Sequence, residues 1–143
     1  MKVTADQVTS LKAYLRGDTA SFERINAQLD PTNKRARGAL IAAAFYSAAE
    51  RAFADGKRSD VIEFVGRARA RSERLAEAID PRVAERLLLA TFTDEDIDDI
   101  SGETQGDHFG LLLAGMIAEA QLSDAELDAF LDDASKLADS WLG

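Results

Sequence analysis

A chain of 143 residues, 46% hydrophobic and 30% charged, is long enough to form one domain with a real core and too apolar for general disorder. It contains no cysteine, which excludes disulfides, thiolate zinc sites and cysteine nucleophiles and predicts a reducing, cytoplasmic location. The net charge of −9 is split into +3 over Met1–Asp80 and −12 over Pro81–Gly143, with no Lys or Arg between Leu87 and Ser135.

Apolar residues recur at helical spacing and strand signals are nearly absent, so an all-α fold is predicted. The opening residues carry one Lys and no apolar run, so no signal peptide is expected. Thr4 with Gln7 makes a capping-box pattern that opens a helix through Val8, Leu11 and Leu15, stopped at Gly17. Asp18 or Thr19 caps a short helix bearing Phe22, Ile25 and Leu29 on one face. Asp30-Pro31 sets an N-cap before a proline at the first helical position, where the missing N–H costs nothing. The helix that follows carries Leu40, Ile41, Ala44, Phe45 and Ala48 and is expected to end near Gly56.

Asp60 with Glu63 reads as another capping box, opening a stripe of Val61, Val65, Ala68, Ser72, Leu75 and Ile79. Asp80-Pro81 repeats the stop-and-start device ahead of Val83, Leu87 and Ala90, on a helix running to about Phe92. Acidic residues with Gly102 and Gly106 make Thr93–Gly106 a predicted loop, with one helical turn at Asp96–Ile100.

Phe109, Leu112, Leu113, Met116, Ile117 and Ala120 then fall on one helix face, while Leu111 and small residues fill the other. This pattern predicts a central, buried helix over Phe109–Ala120 in which Gly115 lets a neighbour come close. Its uncharged apolar stretch is ten residues, well short of the ~20 that cross a bilayer, so no membrane association is expected. Ser123 with Glu126 caps a last helix with Leu127, Phe130, Leu131, Ala134, Leu137, Ala138 and Trp141 predicted inward and Asp124, Asp128, Asp132 and Asp139 outward. Tyr14, Phe45 and Tyr46 read as core or core-edge aromatics.

Three constellations could carry chemistry. The acidic run Asp94, Glu95, Asp96, Asp98, Asp99, Glu103, Asp107 offers oxygen ligands for a hard cation and begins like a calcium loop. Counted from Asp94, however, the sixth position is Asp99 where a Gly is required and the twelfth is Gln105 where a bidentate Glu belongs, which rejects an EF-hand. A solvated acidic loop is favoured over weak divalent binding, and no metal is assigned. His108, the only histidine, lies beside Asp107, but no motif supplies a second catalytic group; a boundary residue with satisfied hydrogen bonds is favoured, and no catalytic residue or cofactor is assigned. Arg67, Arg71 and Arg74 fall on one face of a continuous helix and could grip phosphates. Without aromatic interleaving or a recognition helix, and with a repulsive net charge, nucleic acid is disfavoured; a solvated face, or one docked on the acidic half of this or another molecule, is preferred.

The Tyr14-Leu15-Arg16-Gly17-Asp18 turn, the Ala-rich helix through Phe45-Tyr46, the Asp60-Val61-Ile62-Glu63-Phe64-Val65 segment and the Leu122–Leu131 stretch before Trp141 follow one another in an order that resembles a type of small, uncharacterised all-α protein of high-GC actinobacteria. The excess of Ala (26) and of Arg over Lys (12 against 5) suits such a bacterial genome. The resemblance covers most of the chain and implies an all-α domain, but it brings no activity, ligand or functional residue.

The sequence therefore predicts a single domain, 1–143, built as a compact all-α bundle of six or seven mostly antiparallel helices. The function expected first is a non-catalytic protein–protein interaction or regulatory module. Its acidic second half, with Asp94, Asp96, Asp98, Asp99, Asp124, Asp128 and Asp132 exposed, would attract a basic partner. Two alternatives stand beside it: a homo-oligomer joined through charge-complementary halves, with Arg67, Arg71 and Arg74 on the basic side, or a small-molecule binder or enzyme using the His108 region.

Overall fold

Caps divide the chain into eight α-helices and one 3-10 turn, with no strand, in a computed structural model that describes all residues, Met1–Gly143. They are α1 (Ala5–Leu15), α2 (Thr19–Ala27), the 3-10 turn Pro31–Asn33, α3 (Lys34–Ala52), α4 (Arg58–Ala70), α5 (Glu73–Ala78), α6 (Pro81–Leu89), α7 (Gly102–Ala120) and α8 (Asp124–Leu142). The capping boxes at Thr4/Gln7 and Ser123/Glu126 are both formed, and Asp18, Asp30 and Asp80 each cap the element that follows. After α1 the chain reverses through Gly17 at φ +73°, a left-handed conformation that glycine adopts without a Cβ penalty.

The expected six or seven helices become eight because the stripe from Val61 to Ile79 does not lie on one helix. Ser72 takes an extended conformation and its hydroxyl accepts from the Leu75 N–H, so α4 stops and α5 starts. Arg69 fixes the break: its guanidinium donates to the carbonyls of Ala76 and Ile79, capping the C-terminal end of α5. The Asp60/Glu63 capping box is also absent. Helix α4 opens earlier, with Lys57 at the N-cap position, and Asp60 sits in the first turn, where its charge meets the positive end of the helix. Helix α7 likewise begins at Gly102, well ahead of the expected Phe109, because the Ser101 hydroxyl accepts from the Thr104 N–H. The predicted helical turn at Asp96–Ile100 is only a hydrogen-bonded turn, from the Ile100 N–H to the Ile97 carbonyl.

One hydrophobic core of 28 buried residues unites the molecule. Its hub is α3, packed most extensively against α8 and then α7, so the central helix is α3, with α7 on its flank. The reason is side-chain size: Ala36, Ala43, Ala44, Ala48 and Ala49 are all buried around α3 and let α7 and α8 approach it closely. Phe45 fills the seam and meets Phe109 at a ring-centroid distance of 4.7 Å. Helix α7 packs on α3, α1 and α6, and Gly115 does admit a neighbour: a Cβ there would lie 3.2 Å from Cζ of Phe64 on α4.

The predicted inward stripe of α8 holds for Leu127, Phe130, Leu131, Ala134 and Ala138, but not for its end. Leu137 is 37% and Trp141 47% exposed. The α8 stripe outlasts the surface of α3 and α1 that it packs against, and Trp141 keeps one edge-on contact, with Tyr46 at 6.2 Å.

Candidate functional site

Arg86 makes the largest single set of side-chain hydrogen bonds in the acidic loop between α6 and α7. Arg86, in the last turn of α6, donates to both carboxylate oxygens of Asp99 (2.9 and 2.6 Å), to Glu95 (3.4 Å) and to the backbone carbonyl of Asp96. Hydrogen bonding and charge hold the Asp99 carboxyl below its ordinary value and push the Arg86 guanidinium further up. Thr93 and Asp96 close local turns by accepting from the Glu95 and Asp98 amides, and the Gln105 side chain donates to the carbonyls of Ile97 and Ile100. Ile100 is buried beneath, so the loop is pinned from both sides.

That arrangement uses Glu95 and Asp99 as anchors and leaves Asp94, Asp96, Asp98, Glu103 and Asp107 outward, exposed and without a salt bridge. Their carboxylates do not converge into a group able to hold a metal ion. The result is a fixed acidic corner spanning residues 94–107.

Sequence reasoning did not single out Arg86, the residue that gathers this loop. The available signal was a lone arginine one helical turn before an acidic loop whose next cation is Lys136.

His108 belongs to the scaffold. It lies in the second turn of α7, 5% exposed. Its Nδ1 is 2.8 Å from the Thr104 carbonyl, which can only accept, and its Nε2 is 3.1 Å from the Asp80 N–H, which can only donate. The partners therefore require the tautomer protonated at Nδ1, and both ring nitrogens are committed to backbone. The second bond has a local cause. In a capping box the side chain three residues after the N-cap satisfies the N-cap amide; at Asp80 that position is Val83, which has no acceptor, and His108 supplies one from the next helix.

The α8 aspartates are largely engaged by the rest of the chain. Asp128 pairs with Lys12 at 2.8 Å and Asp124 with Arg16 at 2.9 Å, joining α8 to α1. Asp132 pairs with Lys136 on its own helix, and Asp139 accepts from the Val3 N–H. The linear charge asymmetry is thus partly cancelled in three dimensions.

The three arginines expected on one face are separated by the α4–α5 break. Arg67 makes a two-pronged pair with Glu119 of α7 (2.9 and 3.0 Å), beside a depression of about 440 Å³ that also holds Arg51, Asp60 and Glu63. Arg71 and Arg74 make no salt bridge and border a different groove, of about 520 Å³, between α1, the α4–α5 corner and α7. Compared with known proteins, the chain matches no protein-family model, no curated protein and no solved structure.

Proposed function

We propose that this protein is a non-catalytic interaction module that docks a basic partner protein on the acidic corner at residues 94–107. The observation that supports this most is the division of labour around Arg86: Glu95 and Asp99 fix the loop, Asp96 closes a turn within it, and the exposed carboxylates of Asp94 and Asp98 are left without a partner. A pre-ordered set of charges loses little conformational entropy on binding, and a field of one sign speeds encounter and selects partners. The α8 aspartates contribute less, because α1 already neutralises two of them. An enzymatic or small-molecule role for His108 loses its support, since neither ring nitrogen is free for a substrate.

The test is capture from native lysate in low and high salt with the native protein and with an Asp94→Asn/Asp98→Asn/Asp107→Asn variant. These side chains are exposed and outside every salt bridge, so the fold is expected to be unchanged. A basic protein retained by the native form at low salt, released by high salt and not retained by the variant supports the reading. Equal capture by both forms refutes it.

Self-association is the second reading, supported by the exposed Leu137 and Trp141, one turn apart on α8. It predicts a concentration-dependent dimer in sedimentation that Trp141→Ser abolishes. A monomer at every concentration and salt rejects it.

A further inference from the structure

The groove bordered by Arg71 and Arg74 differs in kind from the depression beside Arg67. Its floor is apolar, with Leu75, Ile79, Leu111 and Ala114 among the residues that line it. Its charged lining is Arg16, Arg71 and Arg74, with no carboxylate. The neighbouring depression of about 440 Å³ is the contrast: three carboxylates share it with two arginines, and one of those arginines is taken by Glu119.

In the 520 Å³ groove Arg16 is already engaged, by Asp124 and by the Leu122 carbonyl. Arg71 and Arg74 are exposed and make neither a salt bridge nor a side-chain hydrogen bond. The Tyr14 ring stands at the same edge: burial pushes its phenol up, and the nearby Arg74 charge partly offsets this. The walls are fixed, because Arg69 clamps α5 through Ala76 and Ile79 and His108 holds the Asp80 amide just beyond. The volume lies within the ~300–1,000 Å³ range of small-molecule sites.

We propose that this groove binds a free amphipathic carboxylate, its apolar tail on the Leu75–Ile79–Leu111–Ala114 floor and its head on the unpaired guanidinium groups of Arg71 and Arg74. A guanidinium fork matches a carboxylate in a two-pronged geometry, and an apolar tail displaces water from the floor. The site shares no residue with the acidic corner, so it stands or falls independently of the docking function.

Sodium decanoate, kept below its micelle concentration, is the probe, titrated calorimetrically into the whole protein. Decanol supplies the tail without the charge, and acetate the charge without the tail. Saturable one-site binding of decanoate is expected, with decanol and acetate each weaker by at least about tenfold. Arg71→Ala/Arg74→Ala is expected to weaken decanoate by at least about tenfold with unchanged circular dichroism. Ala114→Phe, which fills the floor, is expected to remove binding. Absence of decanoate binding, equal binding by the double variant, or full binding by Ala114→Phe overturns the proposal. Capture by anionic lipid vesicles without binding of free decanoate also overturns it, in favour of a membrane surface.

Discussion

His108 shows how a single side chain can look catalytic and be structural. Its two ring nitrogens bond a carbonyl within α7 and the N-cap amide at the start of α6, so its removal leaves the Asp80 amide without its protein partner. His108→Leu is expected to destabilise the fold by about 1 kcal/mol, the net worth of a partly buried hydrogen bond, measured by urea unfolding. A change below about 0.5 kcal/mol would mean that the ring contributes packing alone. At the other end of α7, Gln121 sits at φ +51°, the left-handed position usually taken by glycine. Gln121→Gly is expected to stabilise the protein by roughly 0.5–1 kcal/mol in the same assay, since the strain on a non-glycine residue there exceeds the entropy glycine brings to the unfolded chain. Nothing in the sequence marked Gln121 as a cap, because glutamine carries no turn preference of its own; only the backbone φ reveals it.

At the scale of elements, most caps were legible, though not the start of α4, and continuity was not. Thr4/Gln7, Asp80-Pro81 and Ser123/Glu126 each mark a helix start through a local hydrogen bond where the sequence placed it, whereas Asp30-Pro31 caps only the 3-10 turn and α3 opens at Lys34 without a side-chain cap. The Val61–Ile79 stripe misled because hydrophobic period continues through a break when the second helix keeps the same buried side; the interruption is set by Ser72 and by Arg69 reaching carbonyls seven and ten residues ahead. Helix α3 was undervalued for a related reason: alanines contribute little to a hydrophobic pattern by size, yet their smallness brings α7 and α8 together. The acidic loop was legible in composition, but its order was not, since that depends on Arg86 reaching across nine to thirteen positions. Arg86→Gln is therefore expected to release the loop while leaving the helices intact. Amide exchange over 94–100 should quicken by at least about tenfold with the α3 and α8 core unchanged. Unchanged protection in the loop would show that Ile100 and Gln105 suffice to hold it.

Across the whole molecule, the charge imbalance is a matter of distribution. Lys12, Arg16 and Arg67 from the first half meet Asp128, Asp124 and Glu119 from the second, so ion pairs stitch the basic half to α7 and α8. Among the carboxylates of the second half left without a salt bridge, Asp94, Asp96, Asp98, Glu103 and Asp107 belong to the α6–α7 corner. Stability should carry a matching pH signature. Asp18, Asp30, Asp99 and Glu126 are all held below their ordinary values, chiefly by hydrogen bonds to Ser21, Thr32, Arg86 and Ser123 respectively. A carboxyl group depressed on folding contributes stability that is complete above its ordinary titration range and is lost as pH falls through the folded-state value. Thermal stability is thus expected to be flat from neutrality down to about pH 5 and to fall at pH 4 and below, as the capping carboxylates and Asp99, the partner of Arg86, take up protons. A stability that rises on acidification would show that relief of carboxylate repulsion outweighs these bonds.

The claim on which the functional account rests is that the corner at 94–107 presents its charge while α8 has spent much of its own. Residue-resolved NMR during titration with a lysine-rich peptide tests this directly. The account predicts amide shifts concentrated at Asp94–Asp107, saturating at low salt and vanishing as ionic strength shortens the screening length. Shifts spread along α8, or none at the corner under low salt, would contradict it.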